Sequence, residues 1–425
     1  MIRNKTAILV LLTTLNFLNY IDRMVLSAVL AHVEADLVLT KFEAGLGASA
    51  FLVGYFLTAP FFGSRADRGS RKGLIAGGVA VWSLATAATG FATGLWSLLA
   101  ARAFVGVGEA AYATLAPTII DDITPPERKN RALAVFYLAI PLGSAMGYMI
   151  GGTIDKHWGW RTAFFVAGGP GLVIALTCLL IDEPERKLAA AKTNIRDALK
   201  TLAKIPLFRR AVIGYCAYTA AIGAFSYWAP EFLIYRFPGK LDSQSANFWF
   251  GLVLVAAGAI GTIVGGRWAD RSQRALPRVP IDAPHDAREN RAGINALLRV
   301  CAIGMVIAAP LTVLCFFMPV PAGFFVVAFF VEIGLFLSTS PVNAIGLRAV
   351  PIELRASAMA AMIFAIHLFG DLWSPPLLGA LQDGVRAVLH AAPHDVTSTT
   401  IAMMALPLTF ALSAYLWWPR RREAE

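Results

Sequence analysis

Long apolar blocks, separated by short polar stretches, follow one another along the whole chain. An α-helix needs about 20 apolar residues to cross roughly 30 Å of hydrocarbon, and each block has about that length, so each predicts a membrane-spanning helix. Twelve such helices are predicted, approximately at residues 7–31, 44–65, 73–93, 95–120, 132–154, 162–181, 211–235, 246–269, 294–318, 322–345, 356–381 and 398–418.

A charged stretch divides these helices into two groups of six. The prediction is an all-α membrane protein with an N-terminal six-helix bundle at residues 1–181, a cytoplasmic linker at 182–210 and a C-terminal bundle at 211–425. Apolar spacing at residues 188–202 indicates a short interfacial helix inside the linker. A second cytoplasmic stretch at 271–291 carries three prolines and is predicted to be irregular.

A short motif occurs twice, each time where an apolar run ends and a basic loop begins. Five residues match at an offset of 203 positions. The first copy contains Gly63, Ala66, Asp67, Arg68 and Arg71, and the second contains Gly266, Ala269, Asp270, Arg271 and Arg274. A repeated junction half a chain apart is typical of transporters built from two homologous bundles that rock against each other.

The composition agrees with a membrane protein: 57% of the residues are hydrophobic, 15% are charged, and the mean hydropathy is +0.63. The net charge of +10 does not indicate nucleic-acid binding, because the basic residues are segregated. Of the 37 Lys and Arg residues, 29 fall on one predicted side, six on the other and two inside helices. This positive-inside bias predicts that both termini are cytoplasmic. The four cysteines lie in apolar runs and are interpreted as small hydrophobic residues, with no metal site.

Charged residues inside predicted spans are the candidate site, because an ionised group at the bilayer centre costs about 2.5–3.5 kcal/mol. Asp22 and Arg23 lie in the first span, and Arg102 and Glu109 share one face of the fourth. If these helices are neighbours, the four residues form an alternating acid–base cluster. We interpret Asp22 and Glu109 as proton-coupling groups and the arginines as contacts for an anionic substrate. A purely structural ion pair between two helices is the alternative.

The second half offers weaker candidates for substrate binding. Glu332 lies near the middle of the tenth span, and His367 and Asp371 lie in the eleventh. The seventh span is rich in aromatic residues; its outer members suit an interfacial belt. For Tyr215 and Tyr218 the sequence allows either a place in that belt or a place lining a cavity.

The repeated loop motif predicts a cytoplasmic gate. Gly63 would permit close helix contact, Asp67 would face the positive end of another helix, and Arg68 and Arg71 would pair with Asp121 or Asp122. These contacts would hold the cytoplasmic side closed while the outer side is open.

These motifs resemble the major facilitator superfamily, whose fourth-helix signature is similar to the run from Arg102 to Glu109. Three segments more narrowly resemble the Spinster family. They read Asn-Tyr-Ile-Asp-Arg at 19–23, Gly-Val-Gly-Glu-Ala-Ala-Tyr-Ala-Thr-Leu-Ala-Pro-Thr-Ile-Ile at 106–120, and Phe-Tyr-Leu-Ala-Ile-Pro-Leu-Gly-Ser-Ala-Met-Gly-Tyr at 136–148. The likeness is strong over residues 16–152 and thin in the second half.

The resemblance implies a transporter of sphingosine-1-phosphate, another sphingolipid or a lysophospholipid, coupled to protons and working by alternating access. It implies that Asp22 and Glu109 couple protons and that Arg23 and Arg102 contact the substrate. Tyr112, in the second segment, is a further candidate for substrate binding. A monomer in a bacterial inner membrane is expected, with lipids as its partners and the proton as coupling ion in place of a cofactor.

Three other functions are alternatives to this interpretation. A proton-coupled transporter of a small organic anion or drug would share the fold and the cluster. A membrane enzyme is disfavoured, because the sequence shows no metal-binding His/Cys spacing, no Gly-x-Ser-x-Gly turn and no Walker loop. A channel or scaffold is disfavoured by the duplicated gate motif.

Overall fold

The fold was analysed in a computed structural model that describes residues 2–66, 70–125, 128–183, 195–274 and 288–420. The described part of the first half is built from seven α-helices. They are α1 (Lys5–Ala28), α2 (Leu30–Leu37), α3 (Lys41–Ala66), α4 (Arg71–Thr89), α5 (Leu95–Ile123), α6 (Lys129–Trp158) and α7 (Trp160–Cys178).

The described part of the second half contains ten more α-helices. They are α8 (Ile195–Lys204), α9 (Pro206–Arg236), α10 (Ser243–Arg274), α11 (Arg288–Phe317), α12 (Pro321–Phe336), α13 (Thr339–Arg348), α14 (Arg355–Ile366), α15 (Ser374–Val388), α16 (Val396–Met403) and α17 (Ala405–Trp417). Among the described residues the only β-pairing is an isolated bridge between Ile2 and Ile181.

Ten segments of the described chain are long and apolar enough to cross a membrane. Helices α4 and α9 occupy the two remaining predicted spans. The all-α membrane fold is therefore confirmed, and these twelve segments agree with the predicted number of spans. Helix α8 lies within the predicted linker, while residues 184–194 of that linker and 275–287 of the second cytoplasmic stretch lie outside the described residues. Contrary to the prediction of an irregular segment, residues 271–274 and 288–291 are helical.

Three of the predicted spans in the second half are interrupted, which the apolar pattern did not indicate. The tenth span consists of α12 and α13, and the twelfth consists of α16 and α17. The eleventh contains a π-helical turn at His367–Asp371 between α14 and α15, where the Leu372 amide donates to the His367 carbonyl at 2.9 Å. Such turns are frequently found at functional positions.

The chain forms two compact units. Unit 1 comprises Met1–Ala189, Ser226–Leu252 and Pro375–Val396, and unit 2 comprises Ala190–Phe225, Val253–Ser374 and Thr397–Glu425. Unit 1 therefore contains the C-terminal part of α9, the N-terminal part of α10 and most of α15, in addition to the first six predicted spans. The division into bundles at 1–181 and 211–425 follows the sequence repeat and stays a prediction.

Each unit has its own tightly packed interior. In unit 1, Trp82, Tyr112 and Phe136 belong to a large cluster of buried apolar side chains from α1, α3, α4, α5, α6 and α7. In unit 2, a Cβ atom on Gly304 of α11 would lie 2.4 Å from the carbonyl oxygen of Gly334 on α12. Only small residues allow two helix backbones to approach so closely.

Candidate functional site

Two glycines bring α5 into contact with its neighbours in unit 1 and thereby place the charges that it carries. A Cβ atom on Gly106 would lie 1.9 Å from the carbonyl oxygen of Phe51 on α3. A Cβ atom on Gly108 would lie 2.4 Å from the backbone nitrogen of Trp82 on α4. Helix α5 therefore lies directly against both helices, and its residues Arg102 and Glu109 are buried.

Arg23 and Glu109 form an ion pair between α1 and α5. The Arg23 Nε donates to Glu109 Oε2 at 2.8 Å, and the Glu109 side chain is fully buried while 19% of the Arg23 side chain is exposed. The Arg23 guanidinium carbon also lies 4.7 Å from the ring centroid of Phe51 and 4.8 Å from that of Tyr20. The helices are thus neighbours, as the predicted cluster required.

Asp22 points toward a different helix from the adjacent Arg23. Its Oδ2 accepts a hydrogen bond from the Thr86 hydroxyl of α4 at 3.4 Å, and the residue is 1% exposed. It interacts electrostatically with both Glu109 and Arg102. The structure therefore brings the four predicted charges into one interior region of unit 1, while their functional roles stay predictions.

Arg102 differs from Arg23 in having no acidic partner within salt-bridge distance in the described chain. It is 2% exposed, and its guanidinium lies 5.7 Å from the ring centroid of Phe51. Its Nε and Nη1 atoms have no hydrogen-bond partner among the described residues. Buried polar groups are normally hydrogen-bonded, so these two donors are available to an acceptor that enters the site.

Two of the three aromatic candidates, Tyr112 and Tyr218, are buried. Tyr112 was expected to contact substrate, but it is 1% exposed in the apolar core of unit 1, and its hydroxyl donates to the carbonyl oxygen of Leu12. Tyr218 in unit 2 is likewise buried, and its hydroxyl donates to the Leu335 carbonyl at 3.1 Å. Tyr215 lies beside it, with 5.8 Å between the ring centroids, and is partly exposed.

The other candidates of the second half lie in unit 2. Glu332 is 4% exposed in α12. In the π-helical turn, the His367 Nδ1 lies 2.7 Å from Asp371 Oδ2, so these two polar residues pair with each other. A Cβ atom on Gly223 of α9 would lie 2.8 Å from Asp371 Oδ1, which shows how closely the turn approaches α9.

The first copy of the gate motif is described in part, since Asp67 and Arg68 lie outside the described residues. Arg71 Nη1 donates to Asp122 Oδ2 at 2.6 Å, which is one of the predicted pairs. Arg71 also contacts Glu183 at 3.2 Å, a partner that the sequence did not indicate.

Asp121 pairs with Lys129 at 2.5 Å. Because Arg68 lies outside the described residues, its expected pairing stays a prediction. The expectation for Gly63 is wrong. Gly63 is not required for close packing, because a Cβ atom there would have its nearest neighbour at 3.8 Å.

The second copy of the motif is more open. A Cβ atom on Gly266 would meet its nearest atom at 3.9 Å, and Asp270, Arg271 and Arg274 are exposed at the end of α10. The Gln273 amide makes the contacts there: its Nε2 donates to the Gly293 carbonyl at 2.7 Å, and its Oε1 accepts from Arg348. The two copies therefore have different surroundings in the described structure.

A second buried charge cluster lies at the predicted outer end of unit 1, and sequence analysis missed it. We call Glu34, Lys41 and Glu231 the outer ion cluster. The Lys41 ammonium donates to Glu34 at 2.8 Å and to Glu231, and the three residues are 3–4% exposed. Glu231 is a charged residue inside a predicted span, and on that ground the sequence could have identified it as a candidate.

Three side chains near the same end have pKa values shifted from their ordinary values. Burial, followed by the charge of Glu231, raises the pKa of Glu34 to about 8, despite the opposing effect of Lys41. A hydrogen bond to Asp155 raises the pKa of His32, and a hydrogen bond from Arg161 lowers the pKa of Asp36. Proton occupancy at this end therefore depends on the contacts that these groups make.

The chain is similar to known proteins in both sequence and fold. The family profile of the Major Facilitator Superfamily matches residues 12–374. Protein spinster of Drosophila melanogaster is 32% identical over 91% of this chain, which spans 63% of that relative. Protein spinster homolog 1 of Mus musculus is 33% identical, with 90% of this chain and 74% of the mouse protein covered. The probable sphingolipid transporter spinster homolog 1 of Arabidopsis thaliana is 30% identical, with 88% and 82% covered.

The fold is similar to that of a solved bacterial homologue of the human lysosomal transporter Spinster, in an inward-facing and unoccupied conformation. The TM-score is 0.82 and the identity is 21%, with 97% of this chain and 96% of the other covered. The D-xylose–proton symporter aligns with a TM-score of 0.75 at 16% identity. At such low identity these matches show the shared fold.

Proposed function

Because this chain belongs to the major facilitator superfamily and, within it, to the Spinster family, we propose that it exports a single-chain amphipathic lipid in exchange for protons. It is a multi-pass membrane transporter and not an enzyme. The proposed cargo is a sphingoid phosphate, another sphingolipid or a lysophospholipid. The sphingolipid class is suggested by the Arabidopsis relative, which is named as a probable sphingolipid transporter.

The observation that carries the proposal is the state of Arg102. Its buried guanidinium has two nitrogen donors without hydrogen-bond partners in the described structure, and no carboxylate is paired with it. A guanidinium can bind a phosphate or carboxylate through two parallel hydrogen bonds. An anionic head group would supply the missing acceptors, and the alkyl chain would lie against apolar walls.

Proton coupling is assigned to Asp22 and Glu109. Glu109 forms an ion pair with Arg23, and Asp22 interacts electrostatically with Glu109 and Arg102. An anionic head group that binds the arginines competes with these carboxylates for positive charge. A carboxylate that loses its partner in the apolar interior must be rehydrated or protonated, because an unpaired buried charge is costly. Cargo binding and proton binding are thereby linked.

The available driving force is adequate for a scarce cargo. A difference of one pH unit supplies about 1.4 kcal/mol per proton. A membrane potential of 100 mV adds about 2.3 kcal/mol for each charge that is moved. The distribution of Lys and Arg supports an inner-membrane orientation with both termini in the cytoplasm, and the transporter is proposed to act as a monomer.

The proposal is tested by flux in proteoliposomes that contain the purified protein and carry an imposed pH gradient. The panel comprises sphingosine-1-phosphate, lysophosphatidylcholine, lysophosphatidylglycerol and small organic acids. We expect gradient-dependent movement of at least one single-chain lipid, which collapses when a protonophore is added. Movement of the organic acids alone would contradict lipid transport and favour the small-anion alternative, and flux insensitive to the protonophore would contradict proton coupling.

A further inference from the structure

The outer ion cluster joins three separate elements of unit 1. Glu34 is supplied by the short helix α2, Lys41 by the first turn of α3, and Glu231 by the outer part of α9. The Lys41 ammonium lies 5.8 Å from the ring centroid of Trp228 and 5.6 Å from that of Tyr235. The cluster is therefore enclosed by aromatic rings of α9 and exists only while α9 lies against α2 and α3.

Further contacts around the cluster hold the same elements together. The Asp383 carboxylate of α15 accepts from the backbone amides of Lys41 and Phe42 at 3.3 and 2.9 Å. The Tyr227 hydroxyl of α9 donates to the Ala44 carbonyl at 2.6 Å. A Cβ atom on Gly379 of α15 would lie 2.2 Å from the Lys41 carbonyl oxygen. The start of α3 is thus held by α9 and α15, both of which come from the second half of the sequence.

The cluster has an excess of negative charge, since one ammonium faces two carboxylates. Among the described residues, the other titratable or charged groups around the cluster do not supply a second cation. Asp383 is paired with Arg386 at 3.2 Å, and burial followed by the charge of Lys41 lowers the pKa of His394. The remaining neighbours are the phenols Tyr227 and Tyr235. In so buried a place, the uncompensated charge favours binding of a proton.

We propose that the outer ion cluster is a proton-linked lock: the predicted outer end closes with uptake of one proton by the Glu34–Glu231 pair and opens with its release. This inference rests on the proposed alternating-access function. It assigns a proton to residues other than Asp22 and Glu109. The proton is taken up on the side from which the cluster becomes accessible, so outside acidity drives the outer end shut after cargo has left.

Closure of the outer end depends on pH because the closed and open states bind protons with different affinity. In the closed cluster the pKa of Glu34 is raised to about 8, whereas a hydrated Glu has an ordinary value near 4.5. The closed state therefore binds more protons than the open state and is favoured as the pH falls. Between these values one proton changes the closed-to-open ratio about tenfold per pH unit, and the ratio levels off above and below them.

The test measures the width of the outer end by electron–electron double resonance in lipid nanodiscs without cargo. Spin labels are placed at Val38→Cys and Lys240→Cys, which are exposed positions of unit 1, in a background that lacks the four native cysteines. The closed population is followed from about pH 4 to about pH 9, the range that brackets the expected transition. In the unmodified cluster it should fall as the pH rises.

Glu34→Gln mimics the protonated acid and should remove one proton from the transition. The change in its closed-to-open ratio per pH unit should therefore be about tenfold smaller than in the parent. Glu231→Gln should have the same effect, which guards against a defect peculiar to one variant. Asp36→Asn is the matched control on α2, because Asp36 pairs with Arg161 and lies outside the cluster. Its pH profile should equal that of the parent. His32, Asp22 and Glu109 are retained throughout, so their contributions cancel.

An unchanged slope in both glutamine variants would overturn the lock. Because no cargo is present, the result is independent of lipid transport. Failed lipid flux with an intact pH-dependent closure would contradict the proposed function alone, and lipid flux with an unchanged slope in the variants would contradict the lock alone.

Discussion

At the scale of single residues, Arg102 gives the most direct prediction about cargo. Its unpartnered donors make it available to an anionic head group, and hydrogen bonds to charged groups contribute about 1.5–3 kcal/mol. Arg102→Ala should therefore weaken binding of a sphingoid phosphate by about tenfold to a hundredfold. Affinity is measured by competition against a labelled lipid in detergent micelles.

The matched control for Arg102→Ala is the uncharged alcohol analogue of the same lipid. Its affinity should change little, because it has no anionic group for Arg102 to bind. An equal loss for the charged and uncharged lipids would show that Arg102 shapes the cavity and does not bind the head group.

Asp22 gives the prediction about coupling. Asp22→Asn keeps a side-chain oxygen that can accept from Thr86, but the amide cannot release a proton. Flux driven by a pH gradient should fall to the level of protein-free liposomes, while exchange of labelled for unlabelled cargo at equal pH continues. Both are measured in the same proteoliposomes, and gradient-driven flux at the parent rate would remove Asp22 from the proton path.

Glu109 is expected to set the pH range over which transport runs. Glu109→Gln replaces the ionisable partner of Arg23 with a neutral side chain of similar shape. The pH profile of cargo exchange should shift, because one of the two coupling carboxyls no longer titrates. Exchange rates are measured across the pH range at equal pH on both sides of the membrane. A profile identical to that of the parent would leave Glu109 with only a structural pairing to Arg23.

The sequence identified those site residues whose charge stands out inside an apolar run. Arg102 and Glu109 were placed on one face by their spacing, and the Arg23–Glu109 contact meets the condition that their two helices are neighbours. Tyr112 lies in the core of unit 1, which its sequence did not reveal, because residue type does not show whether an aromatic ring lines a cavity or fills a core. Its substrate contact stays a prediction. The cluster at Lys41 was missed because Glu231 lies 190 residues from Lys41 in the sequence.

At the scale of helices, the glycines of α5 make a prediction about packing. A methyl group on Gly106 would overlap the Phe51 carbonyl oxygen, 1.9 Å from the ideal Cβ position. Gly106→Ala should therefore separate α5 from α3 and destabilise the protein by about 1–3 kcal/mol or more. The melting temperature of the purified protein in detergent should fall accordingly.

Gly77→Ala on α4 is the control for this substitution, because a Cβ atom there has no neighbour within 4 Å. Alanine is a better helix former than glycine by about 0.8–1.0 kcal/mol, so this variant should be as stable as the parent or more so. Similar losses in both variants would mean that the close contact at Gly106 is not what limits stability.

The positions of the helices were predictable because a membrane span must be long and apolar, and both properties are visible in the sequence. The interruptions were not predictable. Leu337 and Ser338 lie between α12 and α13, and the Ser338 hydroxyl donates to the Cys301 carbonyl of α11 at 3.4 Å. That contact depends on a neighbouring helix, so local sequence alone does not reveal the break.

At the scale of the whole molecule, the two sequence halves and the two compact units are different divisions. The repeat of the gate motif indicates two homologous halves, whereas unit 1 also holds outer segments from the second half. Contacts such as that between Asn247 and the Ala28 carbonyl, at 2.8 Å, create this grouping. They join residues far apart in the chain and depend on conformation, which a repeat cannot indicate.

Orientation in the membrane is the remaining whole-molecule property that the sequence predicts. Of the 37 basic residues, 29 lie on the predicted cytoplasmic side, and positive charge resists translocation across the membrane. A green fluorescent protein fused after Arg420 should therefore fluoresce, and alkaline phosphatase at the same site should be inactive. Alkaline phosphatase fused after Ala391, in the predicted outer loop between α15 and α16, should be active. Because the two sites are separated by a single predicted span, equal phosphatase activity at both would contradict that span, and reversed activities would place the termini outside.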